Sequence, residues 1–249
     1  MSSEKPEIHL YTTQTPNGIK ISITLEELAL QYEWTKVALS NPKSISRRTR
    51  RRLFESGSIM QYLVDRYDTD NKISFAHDDE LVRRSRLGRP MQGQANHFSR
   101  YLIALVSPMV VCANGIESYA PEQIEYGINR YQNETRRLYG VLDRHLADTK
   151  AEYLVGGKCT IADIAHWGWI SAAGWAGINI DDFPNLKAWE NRMWDRPAVQ
   201  KGANIPDPYK MKELLADKEK MERHAAQSRE WVQQGMREDA EKNKARSQK

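Results

Sequence analysis

Apolar positions come as short runs near the start of the chain and as helical steps after it. Residues 8–11 form a short apolar run, the turn residues Thr15-Pro16-Asn17-Gly18 follow, and the next stretch predicts a helix to about position 30. Residues 34–39 are strand-like and come directly after that helix, so the opening unit reads as βαβ, with a parallel pair in an α/β layer. Ile59, Met60, Leu63, Val64 and Tyr67 share one helical stripe, which Ser56 is placed to cap. Further on, Ile124, Ile128, Tyr131, Thr135, Leu138 and Leu142 step by four and three, the spacing of one long amphipathic helix whose first turn suits Pro121. Thr160-Ile161-Ala162-Asp163 has the form of a capping box, and Trp167, Trp169 and Trp175 add bulk behind it. Another helix is expected near Pro184, with Leu186, Trp189 and Met193 on one face, ending at Arg196-Pro197. The second half is therefore all-helical. Residues 210–249 are rich in Lys, Glu, Arg and Gln with few apolar anchors, which predicts a solvated helix fraying into a disordered tail.

Composition narrows the classes. With 249 residues and 40% hydrophobic content the chain can bury a core, in one or two domains. The run at 101–113 is too short to span a bilayer and contains Pro108, so membrane insertion is not expected. Cys112 and Cys159 match neither a disulfide framework nor a metal-ligand spacing, which fits a reducing, intracellular compartment and no metal site. A net charge of +4 is small for a nucleic-acid binder of this size.

Five words in order carry a resemblance. Thr15-Pro16-Asn17-Gly18 resembles the first-loop motif of the nu-class and nitrogen-regulator-like glutathione transferases. Phe54-Glu55-Ser56-Gly57-Ser58-Ile59 resembles the superfamily's Glu-Ser helix start, and Gly93-Gln94-Ala95-Asn96-His97-Phe98 is similar to that branch's first long helix. Cys159-Thr160-Ile161-Ala162-Asp163-Ile164-Ala165 and the segment from Phe183-Pro184-Asn185-Leu186 to Arg196-Pro197-Ala198-Val199 resemble the C-terminal motif and closing helix. The resemblance implies an α/β thioredoxin-like N-terminal domain, here incomplete, over residues 1–75. It implies an all-α C-terminal domain over 76–209, interrupted at 101–118, with 210–249 as the charged tail.

It also implies glutathione as co-substrate, a small electrophile or a disulfide as second substrate, a cytoplasmic location and a homodimer. Such enzymes hold the tripeptide so that its thiol ionises near neutral pH. At the matching point this chain offers Thr15 and Asn17 beside the amides of a helix start, all neutral dipoles; the plain alternative is a turn and cap. Ser56 can present its hydroxyl and amide to a carboxylate and Glu55 can accept from an ammonium, which suits the γ-glutamyl end; the alternative is an ordinary N-cap. His97 is a candidate lining of the electrophile pocket, or a structural histidine. Arg137 resembles a basic residue near the tripeptide, or is a solvated surface arginine. Asp163 is assigned to capping, with about 1 kcal/mol expected for its loss.

Three stretches depart from the family. Between positions 39 and 54 there is no apolar strand and no Ile-Pro or Val-Pro pair, where the family places a third strand behind a cis-proline that clamps the cysteinyl amide of glutathione. Losing that clamp costs about 2 to 5 kcal/mol, at 1 to 3 per orphaned group. Residues 76–90 carry charge in place of aromatic helix, and 101–118 separates words that normally adjoin. Altered splicing accounts for such replacements as readily as an evolved variant. The expected activity is glutathione conjugation or glutathione-dependent disulfide reduction, impaired by the first gap. The competing readings are a non-catalytic regulator of the same fold that binds a protein, and nuclear or nucleic-acid targeting through Arg47, Arg48, Arg50, Arg51 and Arg52; nucleic acid is not expected as a partner.

Overall fold

The computed structural model describes residues 8–38, 53–76 and 124–247. Strand β1 (Ile8–Thr12), helix α1 (Pro16–Glu27) and strand β2 (Tyr32–Lys36) form the expected βαβ unit, and the strands pair in parallel with Ile8 opposite Tyr32 and Thr12 opposite Lys36. Strand β2 begins two residues before the predicted strand. α1 ends in a Schellman turn: Leu30 N–H reaches the Leu25 carbonyl, Ala29 N–H reaches Glu26, and Ala29 takes the left-handed backbone that closes the helix. Helix α2 (Ser56–Tyr67) follows and packs on α1 through Met60, Leu63 and Val64.

The rest of the described chain is helical. α3 (Glu125–Thr149) is the long amphipathic helix read from the four-three spacing, and it buries Thr135, Leu138, Tyr139, Leu142 and Leu146. α4 (Ile161–Ile170) starts at a complete capping box between Thr160 and Asp163. α5 (Pro184–Trp194) is started from outside, because Asp143 on α3 accepts from the Asn185 and Leu186 amides at 2.8 and 2.9 Å. α6 (Pro197–Ala203), α7 (Met211–Ala216) and α8 (Lys218–Ser247) complete the order. The charged segment thus forms two helices, α7 and α8, that reach position 247, where fraying was expected. The cis-proline gap, residues 77–100 and the interruption at 101–118 lie outside the described residues.

Helix α1 is the shared element of both halves. The sheet, α2, α4 and α6 surround it, so Ile19, Ile21, Ile23 and Leu25 are buried together with Lys20, Ser22, Thr24 and Glu27. Each polar member has a partner. Ser22 Oγ donates to the Gly202 carbonyl at 2.7 Å, Thr24 Oγ1 donates to the Lys20 carbonyl at 2.7 Å, and Glu27 takes both arms of the Arg196 guanidinium at 2.7 and 2.9 Å. α6 crosses α1 backbone to backbone: a Cβ on Gly202 would stand 2.5 Å from Ile23 Cα, so only glycine fits there. This large shared core makes the N-terminal unit and the helical bundle one packed body around α1.

Candidate functional site

Two helix starts carry four of the residues singled out from sequence. At the first, Thr15 is the N-cap of α1 in extended backbone, and its hydroxyl accepts from Gly18 N–H at 3.1 Å. Gly18 has no room for a side chain, since a Cβ would fall 2.2 Å from the Thr13 carbonyl oxygen. Gly168 on α4 plays the same part from the other side, where a Cβ would press on Pro16 at 3.2 Å. The loop is therefore held rigidly by close backbone packing. Asn17 is exposed at the second helical position, with its Oδ1 accepting from Lys20 Nζ at 2.9 Å. Sequence reasoning left Lys20 out; the available signal was its spacing of three from Asn17, which puts the two on one face of a helix.

At the second start, Ser56 is the first helical residue and Glu55 the N-cap, with no side chain bonding the first amides. The expectation that Ser56 caps α2 is corrected. The reason lies in the backbone: Glu55 sits at φ 70° and ψ 110°, a conformation that costs a non-glycine residue of order 1 to 3 kcal/mol, and this sharp turn places Ser56 inside the helix. The amides of the first turn point outward beside the exposed Glu55 carboxylate and the half-buried Ser56 hydroxyl. The Lys72 ammonium, just past α2, hydrogen-bonds the Glu27 carbonyl at the end of α1. That contact ties the segment after α2 to the end of α1, and the two helices pack on each other.

The other candidates lie elsewhere. Arg137 is on α3, its side chain 56% exposed, and donates to both carboxylate oxygens of Glu134 one turn back at 2.6 and 2.8 Å. That pair holds the Glu134 carboxyl below its usual range. His97 lies outside the described residues. Cys159 is buried 3.8 Å from Met193 Sδ, and burial pushes its thiol well up, so it is no nucleophile. Among the described residues no group of His, Cys, Asp and Glu side chains is arranged to hold a metal, and no helix is long and apolar enough to cross a membrane.

His166 on α4 lies behind the first helix start. It is 1% exposed, its Nδ1 donates to the Ala162 carbonyl at 2.7 Å, and its Nε2 has no partner among the described residues. Burial pushes the imidazole down from 6.5 to about 4, aided by the nearby Lys20 charge. Below about pH 6.5 the unfolded chain takes up this proton and the folded chain does not. Stability therefore falls as pH drops through that window, reaching a loss of about 3 kcal/mol near pH 4, because each pH unit crossed there removes about 1.36 kcal/mol. Urea melts across the window are expected to show this slope and His166→Gln to flatten it; an unchanged slope in the variant would assign the acid sensitivity elsewhere.

The comparisons with known proteins agree with this architecture. Residues 118–201 match the model of the glutathione S-transferase C-terminal domain. The glutathione S-transferase-like protein tpcF of Aspergillus fumigatus is 31% identical over 78% of this chain and 94% of its own length. The disulfide-bond oxidoreductase YfcG of Escherichia coli is 31% identical over 77% of this chain and 92% of its own. Among solved structures, a glutathione transferase homolog from Lodderomyces elongisporus with two glutathione molecules per subunit superposes with a TM-score of 0.69. It shares 33% identity, covering 81% of this chain and 99% of that one. A βαβ unit followed by a helix that packs on α1, joined to a helical bundle, agrees with the match of residues 118–201 and with relatives 31% identical over more than three quarters of this chain, and the chain belongs to the glutathione S-transferase family.

Proposed function

We propose that this chain binds glutathione across the two helix starts and uses its thiol, either to conjugate a small electrophile or to reduce a disulfide. The observation that carries the reading is the strained turn at Glu55, which leaves the Ser56 hydroxyl and the first amides of α2 open beside an exposed carboxylate. Strain of this kind persists only where the surrounding structure enforces it, and it clusters at ligand clamps. The amides and Ser56 suit the γ-glutamyl carboxylate, Glu55 suits its ammonium, and Thr15 and Asn17 face the thiol. In this reading residues 1–75 hold the tripeptide with Arg137 near it, 76–209 receive the second substrate in a pocket lined by His97, and 210–249 form an outer helical segment. The protein acts in the cytoplasm as a homodimer. The tpcF-like and YfcG-like relatives span the two chemistries.

Titration calorimetry with glutathione, paired with conjugation and disulfide-reduction assays, tests the proposal. Binding is expected to be weak for want of the cis-proline clamp. Ser56→Ala should lose about tenfold or more in affinity, because hydrogen bonds to a charged group contribute about 1.5 to 3 kcal/mol. Asn17→Ala should lose rate and little affinity. Normal affinity in Ser56→Ala would remove the α2 start from the site; micromolar binding by the parent chain with full conjugation activity would show that another segment replaces the clamp.

A further inference from the structure

Lys20 is a buried cation with no structural need for its charge. It is 1% exposed, and among the described residues no carboxylate lies within ion-pair distance of it. Its ammonium donates to Asn17 Oδ1 at 2.9 Å and stands 5.8 Å from the centre of the Trp169 ring. From α4 it is faced by Trp169 and by His166, which is neutral above about pH 4. The charged groups of α6 and of the Arg196 turn, Lys201 and Arg196, pair with Glu26 and Glu27 at the far end of α1. Burial pushes the ammonium down from 10.5 to about 8. A methionine fills nearly the same volume without that desolvation cost, and exchanging a buried charge for an apolar residue is often neutral or stabilising.

The use of the charge is visible at Asn17. Because the ammonium can only donate, it fixes which end of the amide it meets: Oδ1 points inward and the NH₂ outward, at the open start of α1. Flipping the amide would set two donors face to face. We propose that Lys20 is a positioning residue for Asn17, holding the amide with its NH₂ outward and polarising it into a stronger donor toward a thiolate sulfur at that helix start. The inference rests on the glutathione-binding reading above. In the step it serves, the bound thiol loses its proton to solvent and the sulfur anion accepts from the Asn17 NH₂.

Two measurements on the full chain test it. In the ligand-free protein, the side-chain amide signal of Asn17 in nitrogen–proton correlation spectra, followed from about pH 6.5 to 9.5, is expected to titrate with Lys20 and to be flat in Lys20→Met. An Asn17 signal insensitive to pH in the parent chain overturns the proposal without reference to glutathione. With glutathione bound, the thiolate ultraviolet absorbance is expected to rise at a pH about one unit higher in Lys20→Met. The rate near neutrality should fall about tenfold while the melting temperature stays unchanged or rises. Lys20→Gln, which keeps a donor and drops the charge, should fall between the two. A thiol midpoint unchanged in Lys20→Met overturns the role, as does a marked fall in melting temperature in both variants, which would make Lys20 a folding residue. If the amide titrates and the parent chain binds no glutathione, the glutathione reading itself has failed and the role falls with it.

Discussion

Asp163→Ala is expected to destabilise the chain by about 4 kcal/mol, well beyond the 1 kcal/mol of an ordinary cap. The carboxylate is wholly buried and accepts four hydrogen bonds. Leu154 N–H and Trp189 Nε1 reach Oδ1 at 2.8 and 2.9 Å, and Thr160 N–H and Oγ1 reach Oδ2 at 2.9 and 3.0 Å. Burial pushes the carboxyl up and these four donors pull it back. Alanine would orphan all of them in a site sealed from water, at about 1 kcal/mol or more each. Because the donors come from the turn before α4, from its N-cap and from α5, the loss also loosens the join between those segments. Chemical denaturation gives the number. A loss near 1 kcal/mol would mean that water enters and satisfies the donors, and a loss of glutathione binding at unchanged stability would overturn the capping role altogether.

Arg196→Ala should cost about 3 to 5 kcal/mol, the range for breaking a buried ion pair by removing one partner. Its guanidinium holds both Glu27 oxygens, donates to Tyr153 Oη at 2.9 Å and stacks on that ring at 5.6 Å. The Glu27 side chain is 3% exposed under an arginine that is 27% exposed, so truncation strips the carboxylate of its two charge-assisted donors and leaves it at a narrow opening to water. The pair raises the arginine's own proton affinity. The double variant Glu27→Met with Arg196→Met removes both charges and should recover most of the loss, which separates an uncompensated charge from lost packing. Equal instability in the single and double variants would show that packing of the long side chains dominates.

What the sequence determined by itself was local. The βαβ order, the long helix α3, the capping box at Thr160 and Asp163, and the proline-led start of α5 all rest on signals within a few residues of each other: spacing, cap chemistry and turn residues. Asn17 and Ser56 were found the same way, from short words at helix starts. The tertiary structure decided the rest. Lys20, Thr24 and Glu27 have the composition and spacing of a solvent-facing stripe and Ser22 is polar on the other side, yet all four are buried, because α4 and α6 close over α1. Arg196 was legible as a helix stop; that it meets Glu27, 169 positions earlier, was not. Gly202 is needed only because Ile23 crosses it, and Ser56 fails to cap α2 only because Glu55 is held in a strained turn. Capping and periodicity depend on neighbours along the chain, whereas burial, ion pairing and close backbone approach depend on segments brought together from far apart. The energy of those contacts is what can bury a lysine beside an asparagine and keep it charged.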